Sequence, residues 1–133
     1  MPKLNSFQRV SVGLTTISNV EKVAATFDTT PFSDDAAFLV TVKITARSVD
    51  DAAKVSGTIT SALFYKSAGV LTLAGAAVDQ FSEGQAWAVA VEAVTTNITV
   101  SVTGIAEEIK WLVEADIQIN DDAPIFIAAP ADP

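Results

Sequence analysis

The sequence predicts an all-β protein: an antiparallel β-sandwich, jelly-roll-like, with an extended arm at each end. Three observations predict it. Apolar residues recur at every second position over most of the chain, the period of a strand with one face on a core. The runs are broken every ~8–12 residues by stretches rich in Gly, Asp, Ser, Asn and Thr, the spacing of a sandwich or barrel. No segment sustains the 3.6-residue period of an amphipathic helix.

The elements follow in chain order. Residues 1–20 read as an N-terminal arm with its own alternation at Val10, Val12 and Leu14. That pattern fits a strand added to the chain's own sheet or to a neighbour's, so these three are candidate interface residues. Residues 21–119 read as the sandwich body. In "AFLVTVKITAR", Phe38, Val40, Val42, Ile44 and Ala46 share one face and Thr41, Lys43 and Thr45 the other, with Leu39 an apolar exception. In "KVSGTITSALFYK" the apolar set is Val55, Ile59, Leu63 and Tyr65, with Gly57 and Ser61 between them. "GVLTLAGAAV" follows, then "AWAVAVEAV" with Trp87, Val89 and Val91, and "NITVSVTG" with Ile98, Val100 and Val102. "EIKWLVEADIQI" puts Ile109, Trp111, Val113, Ala115, Ile117 and Ile119 on one side. Turn chemistry separates the runs in "TTPFSDD", "SVDDA", "KSAG", "SEGQ", "TTN" and "TGIAEE", and two packed sheets of four strands would accommodate them.

Residues 120–133 read as a C-terminal arm. It ends "APIFIAAPADP", with Ile125, Phe126 and Ile127 bracketed by Pro124 and Pro130. A free tail is ordinarily polar. An apolar plug between prolines predicts burial against a partner, which makes Ile125, Phe126 and Ile127 candidate interface residues. Fully burying them would contribute about 1.5–3 kcal/mol each, less the entropy of ordering the tail.

Composition limits the function. The chain has 133 residues, the size of one domain, and half of them are apolar. No run reaches the ~18 apolar residues of a membrane span, and "MPKLNSFQRV" has no apolar core of a signal peptide. Sixteen acids face eight bases for a net charge of −8, the wrong sign for a grip on phosphates. Residues 1–22 hold Lys3, Arg9 and Lys22 against Glu21, net +2, so the remainder carries −10. A basic arm beside an acidic body fits a contact between copies. The absence of His and Cys removes thiol nucleophiles, imidazole bases, disulfides and the usual zinc ligands. A protein without enzymatic activity, cofactor, metal, nucleic acid or membrane is expected.

The acidic doublets, Asp34-Asp35, Asp50-Asp51, Glu107-Glu108 and Asp121-Asp122, lack the spaced ligands of a calcium loop. Each lies at a turn, where Asp caps the backbone and charge keeps the loop wet. Trp87 and Trp111 are expected as core or interface anchors. Lys43 and Arg47 share the polar face of one strand, where pairing with Glu92, Glu114 or Asp116 on neighbouring strands is the simplest use.

These strands carry a resemblance. A V-x-V-K-x-x-x-R strand (Val40, Val42, Lys43, Arg47) is followed by Phe64 and Tyr65 with a turn at Gly69. A W-x-V strand (Trp87, Val89) follows, then V-x-V-T-G with a later Trp (Val100, Val102, Thr103, Gly104, Trp111). The set, with the "DTTP" lead-in at residues 28–31, resembles a β-rich domain of tailed-bacteriophage virion structural proteins. The likeness covers about residues 26–118 and neither arm, and its motifs are strands and turns rather than catalytic residues.

The resemblance implies a virion protein made in the host cytoplasm. Its partners would be the major capsid protein or other virion proteins and, as a homo-oligomer, further copies of itself, a trimer being one form. The expected role is a capsid decoration or cement subunit held by its terminal arms. A tail or head-fibre component is the alternative. A glycan-binding module would instead need an exposed aromatic platform, with Trp87, Phe81 and Tyr65 as candidates.

Overall fold

The computed structural model describes residues 6–82 and 87–121. Eight strands follow in order: β1 (Ser6–Thr16), β2 (Lys22–Asp28), β3 (Ala37–Ser48), β4 (Val55–Ser67), β5 (Val70–Ser82), β6 (Ala88–Val94), β7 (Asn97–Thr103) and β8 (Ile109–Asn120). They form two antiparallel sheets, β1-β8-β3-β4-β5 and β2-β7-β6. The predicted β-sandwich is present.

The strands divide five and three rather than four and four, and local turns explain this. The pairings β1–β8 and β2–β7 are those of a jelly roll. In that fold β4 and β5 would cross to the second sheet. Here the β3–β4 connection is a closed hairpin: Ser48 N–H donates to Lys54 O, and Lys54 N–H to Asp51 O. The Ser48 hydroxyl also accepts from the amides of Asp50 and Asp51. The β4–β5 turn has two central residues, Ala68 (φ 50°) and Gly69 (φ 82°). Two positive φ values make the tight turn whose twist matches a hairpin. Both connections therefore hold β3, β4 and β5 in one meander.

The N-terminal boundary moves. β1 pairs with β8 along its whole length, from Ser6↔Ile119 to Thr16↔Ile109. Residues 6–16 are thus an edge strand of the body and not an arm outside it. Val10, Val12 and Leu14 oppose Ala115, Val113 and Trp111, so they point toward the chain's own second sheet, where they are half-buried. At the other end β8 runs to Asn120 and Asp121 is buried. Ile125, Phe126 and Ile127 lie outside the described residues.

The core forms where the inner faces meet. Phe38, Val40, Val42, Ile44 and Ala46 of β3 are buried, as are Ile109, Trp111, Val113, Ala115, Ile117 and Ile119 of β8. Ile98, Val100 and Val102 of β7 face them from the smaller sheet. Aromatic groups sit at both ends of the core. Phe27, Phe32 and Phe38 cluster with centroids 5.7–6.0 Å apart at one end, Phe27 stacked on Phe32 and Phe38 edge-on to both. Trp87 and Trp111 approach to 6.1 Å at the other, each such contact adding about 0.5–1.5 kcal/mol beyond area burial.

β4 reverses its expected phase. Ser56, Thr58, Thr60, Ala62, Phe64 and Lys66 are buried, whereas Val55, Ile59, Leu63 and Tyr65 are exposed. The register with β3 requires it: buried Phe38 opposes Phe64, and exposed Leu39 opposes Leu63.

Candidate protein interface

That reversal builds the site. Residues directly opposite in a sheet share a face, so the larger apolar side chains of β4 line the outside of the five-stranded sheet. Leu39 of β3 and Leu112 of β8 join them. These residues, Leu39, Val55, Ile59, Leu63, Tyr65 and Leu112, are between 39% and 55% exposed. Where Gly57 of β4 opposes Thr45 of β3, the missing side chain leaves a groove of about 360 Å³. Its walls include Lys43, Ile59, Leu112 and Glu114. An apolar face with a hollow and a few charges at its border is the anatomy of a protein contact.

The charges of this face are largely matched. Arg9 of β1 opposes Asp116 of β8 and pairs with it at 2.6 Å. The hydrogen bond and the charge of Arg9 hold the Asp116 carboxyl below its usual range, with a further contribution from Lys43. Lys43 stands opposite Glu114, one of the partners expected for it. Arg47 departs from expectation: it stands opposite Lys110 and Val55. A like charge directly across a ladder is unfavourable, and it leaves positive charge at this corner of the outer face.

β5 borders the same sheet as its last strand. From Leu73 to Val78 every residue is exposed, on both faces. Ala76 and Val78 oppose the buried Ala62 and Thr60. They therefore lie on the core side of the sheet and yet stay open, because the three-stranded sheet is too narrow to cover them.

The polar groups at the ends of the sandwich serve the fold. Lys66 is buried, and its ammonium donates to the carbonyls of Thr29 (3.0 Å) and Phe32 (3.1 Å). This ties the β2–β3 loop to β4. Thr29 donates to Thr96 O from both its amide and its hydroxyl, fastening the β6–β7 turn to the same end. Asp28 caps Thr30, whose hydrogen bonds lower the Asp28 pKa.

The acidic doublets divide between two environments. Asp34, Asp35, Asp50, Asp51 and Glu108 are exposed, as expected of wet turns. Glu107 is half-buried, accepting from Ser48 Oγ at 2.8 Å and pairing with Lys54 at 3.2 Å. The Ser48 hydrogen bond, then Lys54, depress its pKa. Asp121 is 6% exposed and accepts hydrogen bonds from the amide and hydroxyl of Ser33, so it is a structural clamp. Among the described residues no group of acids is placed to hold a metal ion. Trp87 and Trp111 are buried at 2% and 4% exposure, which removes Trp87 from any sugar-stacking platform. Tyr65 is exposed, and the Phe81 side chain lies outside the described residues.

Of the six residues expected at an interface, the structure therefore gives Val10, Val12 and Leu14 an intramolecular place. It also leaves an apolar outer face centred on β4 exposed. The signal for that face was present in the sequence, as large apolar residues at Val55, Ile59, Leu63 and Tyr65 with Thr, Ser and Ala between them. Period two assigns residues to two faces without saying which is inside.

No protein-family model matches the chain, and no curated protein does. Solved structures do. The tailspike protein of Acinetobacter baumannii phage AM24 aligns with 90% of this chain and 27% of its own, at 12% identity and a TM-score of 0.51. The tailspike protein of Acinetobacter phage vB_ApiP_P1 aligns with 86% of this chain and 22% of its own, at 10% identity and a TM-score of 0.37. The chain thus spans about a quarter of the length of either protein. The first likeness is one of fold.

Proposed function

We propose that this chain is a non-catalytic structural domain of a bacteriophage tail, a rigid β-sandwich that holds neighbouring tail proteins by its surface. The observation that carries the reading is the exposed apolar outer face centred on β4. The shared fold with a tailspike protein over 90% of the chain supports a tail position over capsid decoration, for which no comparable support exists. The lack of His and Cys supports a role without chemistry.

In this reading the sandwich is a block and residues 120–133 supply a second contact. Ile125, Phe126 and Ile127 enter an apolar seam on an adjacent protein, where three buried side chains outweigh the ordering of a short segment. With a net charge of −8, the neighbours are proteins and not the packaged nucleic acid.

Immunogold labelling of purified particles of the virus encoding the chain tests the position. Label at the tail is expected. Label distributed over the head, or a chain absent from washed particles, overturns the reading.

A further inference from the structure

Among the described residues, no strand pairs with the outer edge of β5. A sheet edge exposes unpaired N–H and C=O groups, and proteins blunt it with charge, proline, bulges or short strands. Four strands border the two sheets: β1, β5, β2 and β6. β2 and β6 have seven residues each. β2 carries Lys22 and Asp28 and has a bulge between Val23 and Ala25; β6 carries Glu92. β1 carries Arg9, ion-paired with Asp116. β5 has 13 residues, and the 12 from Ser67 to Val78 contain neither charge nor proline. Its bulge, at Ala74 between the Leu63 and Phe64 pairings, leaves eight residues in regular register from Gly75 to Ser82.

We propose that β5 pairs along this edge with β5 of a second copy, antiparallel about a two-fold axis beside Ala76. Three observations select the second copy as occupant. Between two chains of net charge −8 a neutral border carries no repulsion, and this strand has the longest neutral run of the four border strands. One neutral apolar strand is its own complement about a two-fold axis. An axis at Ala76 keeps the Asp79 Cα atoms of the two copies ~20 Å apart along the strands, beyond the screening length of ~8 Å. The open core-side residues Ala76 and Val78 then meet the partner's strand and lose contact with water.

A strand added beyond β5 lies four inter-strand spacings from β8, about 19 Å. Asp121 and Ile125 are separated by at most ~14 Å of extended chain, so Ile125 cannot begin a strand there.

The strand spans ~44 Å, and the axis sets the Ala74 bulge of each copy opposite Val78 of the other. With a contact strip ~10 Å wide, the sheet-to-sheet spacing, it would bury ~440 Å² on each copy, below the ~800 Å² of a standard interface. The dimer is accordingly a weak one that the crowding of subunits on a particle would fill.

Analytical ultracentrifugation of the purified full-length chain tests this, independently of where the protein sits on a particle. Twice the monomer mass is expected at ~100 µM and the monomer near ~1 µM, the range an interface of this size supports. Val78→Lys and Ala76→Lys place a charge on exposed edge positions and should weaken the dimer at least ~10-fold with an unchanged far-ultraviolet spectrum. Val20→Lys, the same change at another exposed apolar residue, should not. Phe126→Ser should leave the dimer intact. A monomer throughout, a trimer, a dimer indifferent to both β5 variants, or one abolished by Phe126→Ser overturns the proposal.

Discussion

Among the described glycines, Gly104 has the least room for an added methyl group. It follows β7, and a Cβ built there would lie 2.8 Å from Thr16 Oγ1 and 3.0 Å from Ile109 Cδ1. Both neighbours are buried, Thr16 at 1% and Ile109 at 0% exposure, so neither moves freely. Thr16 Oγ1 also accepts the indole N–H of Trp111 at 2.9 Å, and a β-branched side chain has few alternative rotamers. Gly104→Ala therefore combines two penalties. Overpacking a tight core costs about 1–3 kcal/mol. A displaced Thr16 leaves a buried indole donor without its acceptor, another ~1–3 kcal/mol. Partial relaxation makes about 2–4 kcal/mol the expected total. For a chain of this length that lowers the melting temperature by about 8–15 °C.

Urea unfolding followed by tryptophan fluorescence measures it, since Trp87 and Trp111 are both buried. The mechanism also predicts coupling. Thr16→Ala removes the acceptor and opens the space, so the double variant should cost at least ~1 kcal/mol less than the sum of the single ones. A Gly104→Ala protein within ~0.5 kcal/mol of the parent, or strict additivity in the double variant, would refute the reasoning.

Two further outcomes follow from strain and charge. Thr95 holds φ at 56°, a left-handed conformation that costs a β-branched residue about 1–2 kcal/mol. Thr95→Asn should raise stability by ~0.5–1 kcal/mol in urea, whereas Thr95→Val should not. The pKa of Glu107 is lowered on folding by Ser48 and Lys54, so its contribution is present above the ordinary carboxyl value of 4.5 and is lost as pH falls through the lower folded value. The urea midpoints of the parent and of Glu107→Gln should thus differ at pH 7 and converge as the pH falls through the lowered folded value. A gap that persists at low pH would deny Glu107 this role.

The legible part of the fold was its alternation. β3 and β8 showed their inner faces because one side of each strand is almost wholly apolar and the other mostly polar. β4 misled because both of its faces are mixed. Phe64 and Ala62 go inside with Thr58 and Thr60, and Lys66 accompanies them because its ammonium finds two backbone carbonyls. No periodicity rule sees a lysine that reaches acceptors on another loop. β1 looked like an arm because its alternation is short and bordered by polar residues, and only the register with β8 shows that it closes the sheet. Asp121 looked like a wet turn residue, since the sequence does not show that Ser33 arrives beside it. The apolar outer face stayed hidden for the same reason as the β4 phase: the two are one fact.

The pairing of Ser6 with Ile119 has a mechanical consequence. The first and last strands leave the body side by side, at the same end of the same sheet. Tension applied through both would peel β1 from β8 like a zipper, opening one rung after another, and would never load the whole ladder in shear. Such a module is poorly suited to be an in-line link under force. It is well suited to hang from a longer polypeptide as a side loop, entered and left through one narrow doorway.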